Sequence, residues 1–166
     1  MNQELITMTE KWKSLERKTV KQREKAENFY ETKLMKLIEE EFIANNTGKV
    51  YEKVEYLIMS VGTSYEPLVL DIQLLQPRRI LFLYTKKTEY ILNKIAKYCQ
   101  LDAMRYSKRE VNETDPLDIY REIKAAYLKW NRPDKLYIDF TGGTKSMSAA
   151  AAMAGGAAAA AGRTPS

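Results

Sequence analysis

Two short stretches hold the residue types that could do chemistry. The first is Ser60-Val61-Gly62-Thr63-Ser64-Tyr65-Glu66-Pro67; the second is Asp139-Phe140-Thr141-Gly142-Gly143-Thr144-Lys145-Ser146-Met147. In the first, Gly62 lets the backbone turn tightly, and Thr63 and Ser64 offer hydroxyls and N–H groups just before a helix that starts near Pro67. The unpaired N–H donors and positive dipole end of a helix N-terminus suit a phosphate. Ser64 can equally serve as the cap of that helix, and the two roles can coexist. In the second stretch, Gly142 and Gly143 allow close approach of a ligand to the backbone. Thr141, Thr144 and Ser146 add hydroxyls, and Lys145 adds a flexible cation. A cation at a helix start opposes the dipole, so its presence is easier to explain with an anion bound there. The plain alternative is a glycine turn with a solvent-facing lysine.

Other chemistries are poorly served. The chain has no histidine and one cysteine, Cys99. Histidine-based triads, histidine-ligated zinc and internal disulfides are therefore excluded. Cys99 ends a helix-like stretch and reads as a buried thiol. The glycine–lysine loop is not a Walker A motif, which needs glycine directly before the lysine; Thr144 stands there. Nor does G-x-G-x-x-G follow the first strand, so a nicotinamide or flavin dehydrogenase is unsupported. No metal site and no cofactor is expected.

Both loops need a scaffold, and the hydrophobic pattern supplies one. Continuous apolar runs at 54–61 (VEYLIMSV), 79–84 (RILFLY) and 135–140 (KLYIDF) read as buried strands, with a weaker one at 101–106. Helical stretches at 68–75, 88–98 and 116–130 separate them. The last has Asp115 as N-cap and Leu117, Tyr120, Ile123 and Tyr127 on one face. A further helix is expected after Gly143. This alternation predicts an α/β fold: a Rossmann-like parallel sheet with helices on both faces, whose ligands bind beyond the C-terminal strand ends.

Residues 1–48 are different: dense in Lys, Arg and Glu, with Phe29 or Tyr30, Leu34, Leu37, Ile38 and Phe42 at helical spacing. Ile6, Met8, Trp12 and Leu15 mark an earlier helix. The expected division is an N-terminal helical extension over 1–48 and a ligand-binding domain over 49–166. After Lys145 the chain consists almost entirely of small residues, as in a truncated product or one with unassigned residues written as alanine; the sheet is then incomplete at its C-terminal end. No apolar run nears the roughly 20 residues of a membrane span, and no secretory signal opens the chain, which predicts a cytoplasmic protein. The net charge of +5 favours polyanionic partners. The cations are dispersed, which argues against duplex DNA.

A strand ending in S-V-G-T-S-Y-E-P and followed by a distant D-F-T-G-G-T-K-S-M resembles the paired ligand loops of CRISPR-associated Rossmann-fold (CARF) domains, over about residues 50–154. The resemblance implies the sensor portion of a type III CRISPR ancillary effector. Its ligand would be a cyclic oligoadenylate, most simply cyclic tetra-adenylate, held across the two-fold axis of a homodimer in antiviral defence. It implies that Gly62, Thr63 and Ser64 meet ribose and phosphate, and that Thr141, Gly142, Gly143, Thr144, Lys145 and Ser146 grip the ring phosphates. Tyr84, Thr85 and Tyr106 are candidates for the adenines. Some family members cleave their own ligand by metal-independent attack of a ribose 2′-hydroxyl. In that reading Lys145 would stabilise the phosphorane and Ser64 would orient the attacking hydroxyl. A third reading is a ligand-responsive transcriptional regulator, for which residues 1–48 would be the DNA reader. The R-x-x-x-x-H nuclease motif of such effectors is absent, so an effector would lie beyond Ser166 or on another polypeptide.

Overall fold

A computed structural model describes residues 2–46 and 54–140, with the backbone of Thr164–Pro165. The chain divides into two compact units, Met1–Val50 and Tyr51–Ser166.

The first unit is helical: α1 Gln3–Ser14, α2 Val20–Phe29 and α3 Met35–Asn46, the last two joined by a π-helical turn at Tyr30–Leu34. Asn2 starts α1 by accepting from the Glu4 N–H at 2.9 Å. Thr19 and Gln22 start α2 with a reciprocal capping box. Helix α1 buries none of its side chains completely. It is fixed instead by Trp12, whose indole N–H donates to the Ala26 carbonyl at 3.1 Å and whose ring lies 5.2 Å from that of Tyr30. The Arg17 guanidinium lies over the other part of this cluster, 4.7 Å from the Trp12 centroid.

The second unit is the expected α/β sandwich. Its elements run β1 Tyr56–Ser60, α4 Glu66–Leu75, β2 Arg79–Tyr84, α5 Glu89–Tyr98, β3 Tyr106–Glu110, α6 Pro116–Lys129 and β4 Lys135–Asp139. The two-residue β5, Thr164–Pro165, adds to β4. All pairings are parallel, in the order β3-β2-β1-β4-β5. Strand order therefore reverses at β1: the chain moves outward through β2 and β3, then returns to β1's other side with β4.

The register explains how each helix finds its face. Ile58 lies beside Leu81 and Ile138, and with Leu83 and Leu136 these side chains form one face of the sheet. They pack with Ile119, Ile123 and Ala126 of α6. Leu57, Met59, Ile80 and Phe82 alternate to the other face. Nearly every one of these side chains is fully buried, which accounts for the unbroken apolar runs of the central strands. β3, YSKRE, is an edge strand, and its charged residues are exposed. Such charges discourage further strand pairing.

The structure departs from three of the expectations. The third strand occupies Tyr106–Glu110 rather than 101–106, because a solvated edge strand needs no apolar run; residues 102–105 form a turn in which Asp102 accepts from the Met104 and Arg105 N–H groups. On α6 the buried stripe is Ile119, Ile123 and Ala126, flanked by Tyr120 and Tyr127, while Leu117 is 54% exposed. Asp115 does cap this helix, accepting from the Leu117 N–H at 3.0 Å. Cys99 is half-buried at the C-cap of α5 rather than enclosed. The expected helix after Gly143 and the alanine-rich tail lie outside the described residues.

Phe82 is 0% exposed and meets Tyr106 edge-on at 5.8 Å. Phe82→Ala should lower the urea-unfolding free energy by about 3–5 kcal/mol. Leu117→Ala should change it by no more than about 0.5 kcal/mol. A large loss at Leu117 would contradict the assigned face of α6.

Candidate functional site

The reversal of strand order puts the C-terminal ends of β1 and β4 side by side, with Met59 opposite Asp139. The two loops singled out in the sequence leave the sheet from these neighbouring ends. In a doubly wound sheet this is the crevice where ligands bind.

The first loop is pinned at both ends. Val61 extends the β1–β2 ladder by one bond, its N–H donating to the Leu83 carbonyl at 2.8 Å, and its side chain is 2% exposed. Tyr65 is also buried, with Lys94 Nζ 5.7 Å from its ring centroid. Between these anchors Thr63 and Ser64 are exposed and Gly62 is half-buried. Helix α4 starts at Glu66 with Tyr65 in the N-cap position and no side-chain cap hydrogen bond. Ser64 therefore does not cap the helix from the N-cap position. No side chain caps the first turn of α4 from the N-cap position, and Pro67 in that turn has no N–H, which leaves the N–H groups of Glu66 and Leu68 as the donors that an anion could take.

Two residues that the sequence reading passed over belong here. Ser60, at the end of β1, is 2% exposed, and its Oγ is buried with no hydrogen-bond partner among the described residues. Asp71, on the second turn of α4, is hydrogen-bonded through its side chain to Asp139 at the end of β4. Burial, reinforced by that hydrogen bond and by the Asp139 charge, pushes the Asp71 carboxyl up to about 7. Below about pH 7 the two carboxyl groups therefore hold one proton between them, and their hydrogen bond ties α4 to the last residue before the second loop's Phe140. A single acid within L-V-L-D-I-Q-L-L was the available signal, since a lone carboxylate in an apolar helix needs a partner.

The remaining loops on this rim follow β2 and β3. Thr85 accepts and donates within the turn to Thr88, its N–H meeting Thr88 Oγ1 at 3.0 Å. With Lys86, Lys87, Glu110, Asn112 and Asp118, Thr85 lines a cavity of ≈ 490 Å³. Tyr84 is 8% exposed, with Lys108 Nζ 5.6 Å from its ring centroid. Tyr106 does not belong to this rim: it begins β3, paired with Ile80, and so lies at the opposite edge of the sheet. Its candidacy for an adenine contact is withdrawn with the shift of the third strand. Thr141, Gly142, Gly143, Thr144, Lys145 and Ser146 lie outside the described residues.

The Card1 CARF domain model matches residues 68–153. This span is just over half of the chain and runs from α4 through the glycine–lysine loop. The chain belongs to the Card1 CARF domain family. The match takes in Asp71, Asp139 and residues 141–146, and it begins after Gly62, Thr63 and Ser64. The CARF fold agrees with the parallel sheet and its reversal at β1. No curated protein matches the chain. Among the described residues, no helix is long and apolar enough to cross a membrane, and no cluster of three or more His, Cys, Asp or Glu could hold a metal ion.

The carboxylate pair gives this CARF domain a pH signature. Because the folded-state pKa of Asp71 lies above its ordinary value of 3.8, the folded protein holds a proton that the unfolded chain has released between about pH 4 and 7. Stability should fall as pH rises through this window and level off above it. Asp71→Asn, which stays neutral, should flatten that slope and be the more stable protein at pH 8. Urea midpoints at pH 5 and pH 8 read the effect; parallel slopes in the two proteins would contradict it.

Proposed function

We propose that the chain is a sensor of cyclic oligoadenylate in type III CRISPR antiviral defence, binding the ring at the crevice between β1 and β4. The observation that carries this reading is the adjacency of those strand ends in a CARF-family sheet. Both glycine-bearing loops start from one rim, so their donors can converge on one polyanion. In this reading Gly62, Thr63 and Ser64 hold ribose and phosphate, together with the uncapped start of α4. Thr141, Gly142, Gly143, Thr144, Lys145 and Ser146 hold the ring phosphates from the neighbouring loop. Thr85 and the cavity beside it offer room and polar partners to a base. A cyclic tetra-adenylate has rotational symmetry of its own, so two copies of the chain can grip it equivalently across a dyad. The domain division follows the same logic, with the sensor at 49–166 and a helical extension before it. An effector under its control would be a separate domain or chain.

Ring cleavage is the second reading. It asks only for a positioned 2′-hydroxyl in line with the adjacent phosphate and a cation for the developing charge. Ser64 is exposed at the loop tip and available for the first task; Lys145 would perform the second. The dispersed charge of residues 2–46 gives no comparable support to a DNA-reading regulator.

Calorimetry with cyclic tri-, tetra- and hexa-adenylate tests the reading. The expected outcome is micromolar or tighter binding of one ring, with the tetramer favoured, at one ring per two chains. Lys145→Ala should weaken it by about 1.5–3 kcal/mol, the usual worth of a charged hydrogen bond. Absence of binding by all three rings would overturn the function while leaving the fold. Incubation of the same mixture with EDTA separates the two readings: an intact ring supports the sensor. Linear products that disappear in Lys145→Ala would support the nuclease.

A further inference from the structure

The opposite rim of the sheet carries a second cavity, of ≈ 560 Å³, where β1, β2 and β3 begin. Its lining includes Arg78, Arg79, Arg105, Lys129, Tyr56 and Trp130, and among the described residues it contains no carboxylate. The four cations come from three separate segments that the fold brings together.

Part of this charge has an ordinary structural use. Arg79 donates to the Met104 carbonyl and Arg105 to the Pro77 carbonyl, the latter at 2.9 Å, which closes the turn before β3 onto the turn before β2. Helices α4, α5 and α6 all end at this rim, and cations complement helix C-termini. Each terminus, however, is equivalent to only about half a negative charge, so the three together offset roughly one and a half of the four cations. The carboxylate of the neighbouring turn, Asp102, is directed onto the N–H groups of Met104 and Arg105. Arg78 and Lys129 are both exposed, and neither side chain makes a hydrogen bond or ion pair among the described residues.

An aromatic wall stands beside these charges. The Tyr56 and Trp130 rings pack at 5.0 Å with a 32° tilt, each half-buried. Across the cavity Met104 is 75% exposed, a soft apolar surface for a flat ring. Surplus positive charge beside half-exposed aromatic rings, in a space of nucleotide size, is the chemistry that recognises a nucleotide.

We infer that this rim is a second binding site, taking a nucleotide with its base against Trp130 and Tyr56 and its phosphate on Arg78 and Lys129. The nucleotide is either free or one unit of a single strand. The site lies at the opposite edge of the sheet from the β1–β4 crevice, and the inference stands whether or not a cyclic ligand binds there.

Calorimetric titration of the full chain with ATP and, separately, with single-stranded octauridylate is the test. Saturable binding of at least one probe is expected, weakening as salt rises and roughly tenfold or more weaker in the double variant Arg78→Glu/Lys129→Glu. Binding should survive Lys145→Ala. ATP binding comparable to that of the oligomer identifies a free nucleotide; binding of the oligomer alone identifies a strand. Both positions are exposed, so the double variant should keep its far-ultraviolet dichroism. The inference is overturned if neither probe binds, if a folded double variant binds as well as the parent, or if Lys145→Ala abolishes binding, which would put the probe in the other crevice.

Discussion

The parallel ladder between β1 and β4 seats Leu57 beside Tyr137 and Met59 beside Asp139. These residues are far apart in the chain, and three helices and two strands must be laid down before they meet. Closing so long a loop costs entropy, though the cost grows only slowly with length. What offsets it is burial on both faces: Leu57, Ile58 and Met59 are each within 1% of complete enclosure. A right-handed return across the sheet then leaves β4 only one place, on the free side of β1. The crevice follows from that placement.

Charge is organised around the same seam. Two carboxylates, Asp71 and Asp139, meet where α4 crosses the end of β4, and a shared proton makes that contact attractive instead of repulsive. The arrangement joins the helix that begins after the first loop to the strand that ends before the second. Ser60, whose buried hydroxyl has no hydrogen-bond partner among the described residues, sits at the other strand end. Thus the rim that receives the proposed anion is also where the protein keeps its costly buried polar groups. At the opposite rim the charge is positive and solvated, and two arginines there hold turns together through carbonyl oxygens.

Much of this was legible in the sequence because the central strands carry it openly. RILFLY can be little other than a strand buried on both faces, and its bounds at Arg79–Tyr84 are those observed. KLYIDF and VEYLIMSV were nearly as clear. The edge strand YSKRE was not, since only one side of it pairs and its residues meet water; apolar patterning alone sets this strand too early and puts Tyr106 at the wrong rim. On α6, Leu117 looked like a core residue by type, but its position on the helix turns it to solvent, and Ile119 takes the role. The position of the first loop, between β1 and α4, was legible from Gly62 at the end of an apolar run. Asp71 escaped notice because its partner is distant in sequence and visible only once β4 lies beside β1.

Hydrogen–deuterium exchange with and without cyclic tetra-adenylate tests the central claim most directly, because it reports both loops in one experiment. If they form a single pocket, peptides covering residues 62–68 and 141–146 should gain protection together, while those covering β3 stay unchanged. Protection of one loop without the other, or of neither at saturating ligand, would contradict the account.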